Sequence, residues 1–195
     1  LSYIPFDNTE VKLELDLHAQ KQLKKILKVK PTPQQQKMAL LRNHEAAQFF
    51  NKGNAKKALT LVSQAIELNP KNAGFYNNRA IFYQHLNQFE KAISDYLLTI
   101  ALNPSFAEAY NNLGQVLNLA DRLEDAKFYL LEALKLNQNY PEAHNNLGIV
   151  LQKQLQLEDS KRHLEFAIKI RPEYAEAYNR SEEHTSELQS LSRIS

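Results

Sequence analysis

The stretch AYNNLG, residues 109–114, sets two asparagines side by side inside a pattern that otherwise reads as helix. Asn is a middling helix former, because its short amide competes for backbone hydrogen bonds, so the pair needs a reason. The same dipeptide stands as Asn77-Asn78 in FYNNRA and as Asn145-Asn146 in AHNNLG, and the offsets 111 − 77 and 145 − 111 are both 34. The asparagines belong to a repeat.

Gapless alignment on that period gives units 39–72, 73–106, 107–140 and 141–174, with a fifth beginning at Ala175. Counting each unit from 1, small residues recur at position 8 (Ala46, Ala80, Gly114, Gly148), position 20 (Ala58, Ala92, Ala126, Ser160) and position 27 (Ala65, Thr99, Ala133, Ala167). Large ones recur at position 4 (Tyr76, Tyr110, His144, Tyr178), position 11 (Phe49, Tyr83, Leu117, Leu151) and position 24 (Val62, Tyr96, Leu130, Leu164). Small residues let two helices approach and large ones fill the space beside them. Position 32 holds Pro70, Pro104, Gln138 and Pro172, a terminator after the apolar run ending at Leu68, Leu102, Leu136 and Ile170. Each unit therefore reads as helix, short turn, helix, stop.

With four complete units in phase over residues 39–174, about 70% of the chain, the pattern resembles the tetratricopeptide repeat (TPR) family. The resemblance implies an all-α superhelix of antiparallel helix pairs around a concave groove. Departures are Glu45 and Arg79 at position 7, where Leu is usual, and Gln138 at position 32; slightly looser packing is expected at each.

Composition agrees with an all-α chain. Among 195 residues there are only four glycines and seven prolines, with 43% hydrophobic residues to fill a core. Zero cysteines exclude disulfide frameworks and thiolate chemistry. The net charge of +2 divides as +3 over 1–38, +1 over 39–174 and −2 over 175–195, too little in any block to point to nucleic acid. No apolar run approaches the roughly 18 residues of a membrane span.

Residues 1–38 read as an N-terminal segment and linker. Asp7 with Glu10 forms a capping-box pattern, and Val11, Leu15, Ala19, Leu23 and Leu27 follow at i+4 steps, so a helix is expected over 7–29. EVKLELDL, residues 10–17, also alternates with period two and leaves a strand open. Lys21, Lys24, Lys25 and Lys28 suit a solvated helix face more simply than a membrane surface. VKPTPQQQ, residues 29–36, is expected as the linker, because two prolines two apart resist continuous helix. At the other end the repeat register holds to Asn179 and is then abandoned, with Ser181, Glu182 and Thr185 at packing positions 7, 8 and 11. Residues 180–190 resemble, codon for codon, a translated short-read sequencing adapter, so 180–195 is expected to be a non-native tail on a TPR domain of 39–179.

Catalytic chemistry is not expected. Every glycine has a place in the scaffold, the six histidines form no HxxxH pair, and carboxylates such as Glu124 and Asp125 fall on outward helix faces. No metal and no cofactor is expected. What remains is the groove. In the TPR family it is lined by the first helix of each unit, chiefly through positions 2, 5, 6, 9, 12 and 13. Here position 6 is His44, Asn78, Asn112 and Asn146, and position 5 is Asn43, Asn77, Asn111, Asn145 and Asn179, with Ile81, Gln115 and Ile149 at position 9. An amide carries a donor and an acceptor and can pair with a peptide backbone without reading side chains. The arrangement resembles the asparagine array in the TPR region of protein O-linked N-acetylglucosamine transferase. The alternative is that the amides bond within the scaffold.

A second TPR class holds acidic C-termini in a clamp of basic residues and asparagines. The match fails: its slots over repeats 1–3 hold Asn43, Ala47, Glu108 and Asn112, and only Asn78 fits. The expected function is a scaffold that binds an extended protein segment in the groove. The alternative is the substrate-recruiting part of a larger enzyme such as a glycosyltransferase. Self-association is expected where repeat 4 has no complete helix after it to cover Leu164, Ala167 and Ile168.

Overall fold

The computed structural model describes residues 17–172. Those residues form helices and no strand: α1 (Leu17–Lys28), α2 (Pro33–Asn51), α3 (Ala55–Leu68), α4 (Ala73–His85), α5 (Phe89–Leu102), α6 (Ala107–Leu119), α7 (Leu123–Leu136), α8 (Pro141–Lys153) and α9 (Leu157–Ile170). Each 34-residue unit is an antiparallel pair, α2 with α3, α4 with α5, α6 with α7 and α8 with α9; the outer helix of each then packs on the first helix of the next, and first helices touch along an inner layer. The capping box at Asp7 and the fifth repeat with its tail lie outside the described residues.

Small-against-large packing sets how closely the pairs approach. A Cβ on Gly114 would lie 2.5 Å from Leu130 Cγ, and one on Gly148 2.6 Å from Leu164 Cγ. Repeats 1 and 2 use Ala46 and Ala80 opposite Val62 and Tyr96 instead, all fully buried. Ser160, where the other repeats have Ala, donates its hydroxyl to the Gly148 carbonyl at 2.7 Å, so the buried oxygen is satisfied. Leu164 and Ala167 are 6% and 0% exposed, because α8 covers them. The apolar residues that α9 does expose are Phe166 and Ile170.

Every hairpin turns in the same way. At position 15 the backbone is left-handed: Gly53 at φ 78°, Asn87 at 56°, Asp121 at 58° and Leu155 at 60°. The amide of position 16 bonds to the carbonyl of position 11, as in Arg122 to Leu117 at 2.8 Å and Gln156 to Leu151 at 2.9 Å, and the amide of position 15 bonds to position 12. This is the Schellman closure, which satisfies the last carbonyls of a helix and requires positive φ at the residue after the cap.

Two sequence expectations are corrected, for the linker and for Arg79. The linker ends at Thr32 rather than at residue 36: the Thr32 hydroxyl accepts the Gln35 amide at 3.2 Å, Gln35 Oε1 accepts the Thr32 amide at 2.8 Å, and Pro33 opens α2. Proline at the first helical position removes only an N–H that would be unpaired anyway. Of the helix expected over 7–29, the described part is α1. Packing is not looser at Arg79, and the turn at Gln138 keeps the backbone shape of the proline-ended repeats. Arg79 forms two bonds to Asp95, at 2.6 and 2.8 Å, with Asp95 only 4% exposed, and its guanidinium lies over the Tyr76 and Tyr83 rings. Asn137, before Gln138, takes the extended φ −142°, ψ 96° that the residues preceding Pro70 and Pro104 also approach.

Candidate peptide-binding groove

The first helices carry the expected amides along the inner layer, and the structure pairs them diagonally. Asn78 Nδ2 donates to Asn43 Oδ1 at 2.9 Å, Asn112 Nδ2 to Asn77 Oδ1 at 3.5 Å, and Asn146 Nδ2 to Asn111 Oδ1 at 2.9 Å. Each rung joins position 6 of one repeat to position 5 of the repeat before it, 35 residues back. Asn77 and Asn111 are buried at 2% and 5% exposure. Their own amino groups go to Glu108 Oε1 at 3.2 Å and to Asn112 Oδ1 at 3.2 Å. Asn145 is half-buried, like Asn78, Asn112 and Asn146.

Asn43, Asn77 and Asn111 at position 5 therefore bond within the scaffold, while Asn78, Asn112 and Asn146 at position 6 are each held by one N–H and remain partly open. Among the described residues the Oδ1 atoms of Asn78 and Asn146 take no bond, and each keeps its second N–H. A side chain oriented in this way meets a ligand with little rotamer freedom left to lose. His44 is exposed and accepts a bond from Gln48 Nε2 at 3.0 Å. Ile81 is half-buried, Gln115 exposed, and Ile149 exposed at 36%. A second row runs beside the first. The buried Tyr96 hydroxyl donates to Gln84 Oε1 at 3.0 Å, and Gln84 Nε2 donates to Gln115 Oε1 at 2.9 Å, so a core tyrosine orients a groove glutamine. Nothing at the level of spacing ties Tyr96 to Gln84.

Groove charge is sparse. At position 2, Glu108 accepts from Asn77 and Glu142 is bound by Arg171. Lys153 donates to the Asn118 carbonyl at 3.4 Å. No group of three or more His, Cys, Asp or Glu among the described residues is placed to hold a metal ion, and no described helix is long and apolar enough to cross a membrane.

Away from the groove, His144 and His163 meet Nδ1 to Nδ1 at 2.8 Å at positions 4 and 23 of repeat 4. His144 Nε2–H donates to the Gln138 carbonyl at 3.0 Å, which leaves its Nδ1 as the acceptor of the His163 Nδ1–H. Burial lowers the His144 pKa, and burial with the neighbouring ring lowers that of His163 to about 4. In the sequence His144 read merely as a substitute for a core tyrosine.

Tetratricopeptide-repeat models match residues 61–94, 129–162 and 107–140, and a further TPR repeat model matches 81–118. The first TPR domain of Spaghetti (RPAP3), solved bound to the HSP90 peptide SRMEEVD, is 30% identical; the match covers 62% of this chain and 95% of that one, with a TM-score of 0.60. The chain belongs to the tetratricopeptide repeat family. The first TPR domain of human RPAP3 is 32% identical over 63% of this chain and 97% of that one, with a TM-score of 0.59. MamA shares the fold at 23% identity and a TM-score of 0.65, over 72% of this chain and 77% of that one. No curated protein matches the chain in sequence.

Proposed function

We propose that this TPR domain is an interaction scaffold whose groove holds an extended, largely uncharged segment of a partner protein, with Asn78, Asn112 and Asn146 pairing to its backbone. The observation that carries the reading is the rung geometry: each of these amides is fixed by one bond to the repeat before it and keeps hydrogen-bonding capacity on a partly open inner face. RPAP3 TPR domains solved with HSP90 and HSP70 peptides support peptide binding as the function of a domain of this kind.

The ligand differs from theirs in charge. Slots that would need cations to hold an acidic C-terminus carry Asn43 and Glu108, and moving the frame one repeat along puts Asn77 and Glu142 there. Carboxylates at those points repel an acidic peptide. The glycosyltransferase alternative draws no support from the matched structures.

The test separates the two kinds of amide. Replacing Asn78, Asn112 and Asn146 by Ala removes groove bonds worth on the order of 1 kcal/mol each; affinity for a captured partner segment should fall by tens-fold or more. Replacing Asn43 and Asn77 by Ala breaks rungs but leaves the position-6 amides, and should lower the melting temperature with a smaller effect on affinity. Equal affinity in the wild type and the triple variant would refute the role.

A further inference from the structure

The inner faces of repeats 1 and 2 differ in kind from those of repeats 3 and 4. At the groove positions the first two repeats present Leu40, Asn43, His44, Ala47, Phe50 and Asn51, then Gly74, Asn77, Asn78, Ile81, Gln84 and His85, without one Asp, Glu, Lys or Arg. Repeats 3 and 4 place Glu108, Glu142 and Lys153 among theirs. Position 12 is an amide in three repeats, Gln84, Asn118 and Gln152, but Phe50 in the first.

The Phe50 ring stacks on Phe82, with centroids 4.4 Å apart and planes inclined by 26°, and meets the His85 ring edge-on at 5.1 Å. Core packing accounts for Phe82, which is 4% exposed. Phe50 packs against the same buried cluster but keeps a half-open face, and His85 is exposed. Repeats 3 and 4 build the corresponding positions without a ring, from Val116 and Val150, Asn118 and Gln152, and Leu119 and Lys153. Position 9 adds a second irregularity: Ala47 stands in repeat 1 where Ile81, Gln115 and Ile149 stand in the others. The first helix thus offers a small side chain beside a large ring, and Leu40, 56% exposed, lies on the same helical face.

We propose that this end of the groove is a side-chain subsite that takes one aromatic or bulky aliphatic residue of the bound segment, seated over Ala47 against Phe50, His85 and Ile81. The proposal rests on the groove reading above and adds direction to it. Backbone amides alone would let a segment slide by whole residues, whereas one anchor at the uncharged end fixes its register. Aromatic guests suit a wall of a stacked ring and an edge-on ring, because offset and edge-to-face contacts are the favourable ones.

The experiment uses the full chain and two neutral, amide-capped decapeptides, GSAGSWGSAG and the same peptide with Ala for Trp, read by fluorescence anisotropy and by amide chemical shifts. The Trp peptide should bind at least tenfold more tightly and shift the resonances of Ala47, Phe50 and His85. Phe50→Ala should abolish the preference. Ala47→Phe fills the niche without removing its wall, so it should also abolish the preference at an unchanged melting temperature, which guards against loss of fold in Phe50→Ala. If the two peptides bind alike and both shift Asn112 and Asn146, the subsite is refuted and the groove reading stands. If neither shifts any inner residue, both fail.

Discussion

Leu155 is the one position-15 residue whose type does not suit its backbone. Left-handed φ brings Cβ too near the following carbonyl oxygen and costs a non-glycine residue about 1–2 kcal/mol; Asn and Asp recover part of this through local hydrogen bonds. The other three turns use Gly53, Asn87 and Asp121, whereas Leu155 sits at φ 60° with 79% of its surface exposed. Truncating it therefore loses almost no burial. Leu155→Asn should stabilise the protein by about 1 kcal/mol. Leu155→Gly should gain somewhat less, because glycine's freer unfolded chain offsets roughly 0.4–1 kcal/mol of the relief. For a chain of this size 1 kcal/mol moves the melting temperature by about 2–4 °C, well resolved by thermal circular dichroism or calorimetry. Gly53→Ala is the reverse experiment. A Cβ there would meet nothing within 4 Å, so its expected loss of about 1 kcal/mol is purely conformational. A melting temperature that falls in Leu155→Asn would refute the idea that backbone strain, not side-chain contact, governs this position.

Other expectations follow from buried polar groups and close packing. Asp95→Ala or Arg79→Leu alone should cost about 3–5 kcal/mol by leaving an unpaired charge among Tyr76, Tyr83 and Tyr96, while the pair Arg79→Leu with Asp95→Tyr, the residues of repeat 3, should be neutral or stabilising in urea unfolding. Burial holds the Asp95 carboxyl above the usual carboxylate range against the pull of the guanidinium, as expected where desolvation is large. Gly114→Ala should destabilise by about 1–3 kcal/mol, since Leu130 must yield to a Cβ at 2.5 Å. Because the folded pKa values of His144 and His163 are lowered, the unfolded chain binds more protons between about pH 6.5 and 4; stability should be full above that window and fall as pH drops through it, by on the order of 2 kcal/mol, with a flatter profile in His163→Leu. Self-association through repeat 4 should depend on Phe166 and Ile170, so the mass in light scattering should rise with concentration in the wild type and not in Phe166→Ser with Ile170→Ser.

Legibility in the sequence tracked how local each signal was. The 34-residue period, the helix pair and the small-against-large packing could be read from residue types at fixed offsets, because Gly114 and Leu130 recur as Gly148 and Leu164. The turn geometry was half legible. Gly53, Asn87 and Asp121 form a series that favours positive φ, but Leu155 ends it and hides the rule. The rungs were concealed by the doublets themselves: with Asn at both positions 5 and 6, a period of 34 is visible, and the bond across 35 residues is not. Arg79 read as a misfit because its partner lies sixteen residues away on another helix, at a position where the other repeats have Leu61, Tyr129 and His163.

Helix α1 alters how such an array would come apart. In a stack of repeats each unit leans only on its neighbours, and opening can begin anywhere. Here α1 reaches past the first hairpin to α5 in the second. Ile26 shares a buried cluster with repeat 1 and with Phe75, Tyr76, Phe82 and Leu98 of repeat 2, and Leu23, Leu68 and Leu102 pack around it. A second cluster takes buried residues of repeat 2, repeat 3 and α8, and Ile81 touches both. The seam between the two buried clusters thus runs through the second repeat rather than between repeats. Fraying from the far end would then meet that seam inside the second repeat rather than at a boundary between repeats.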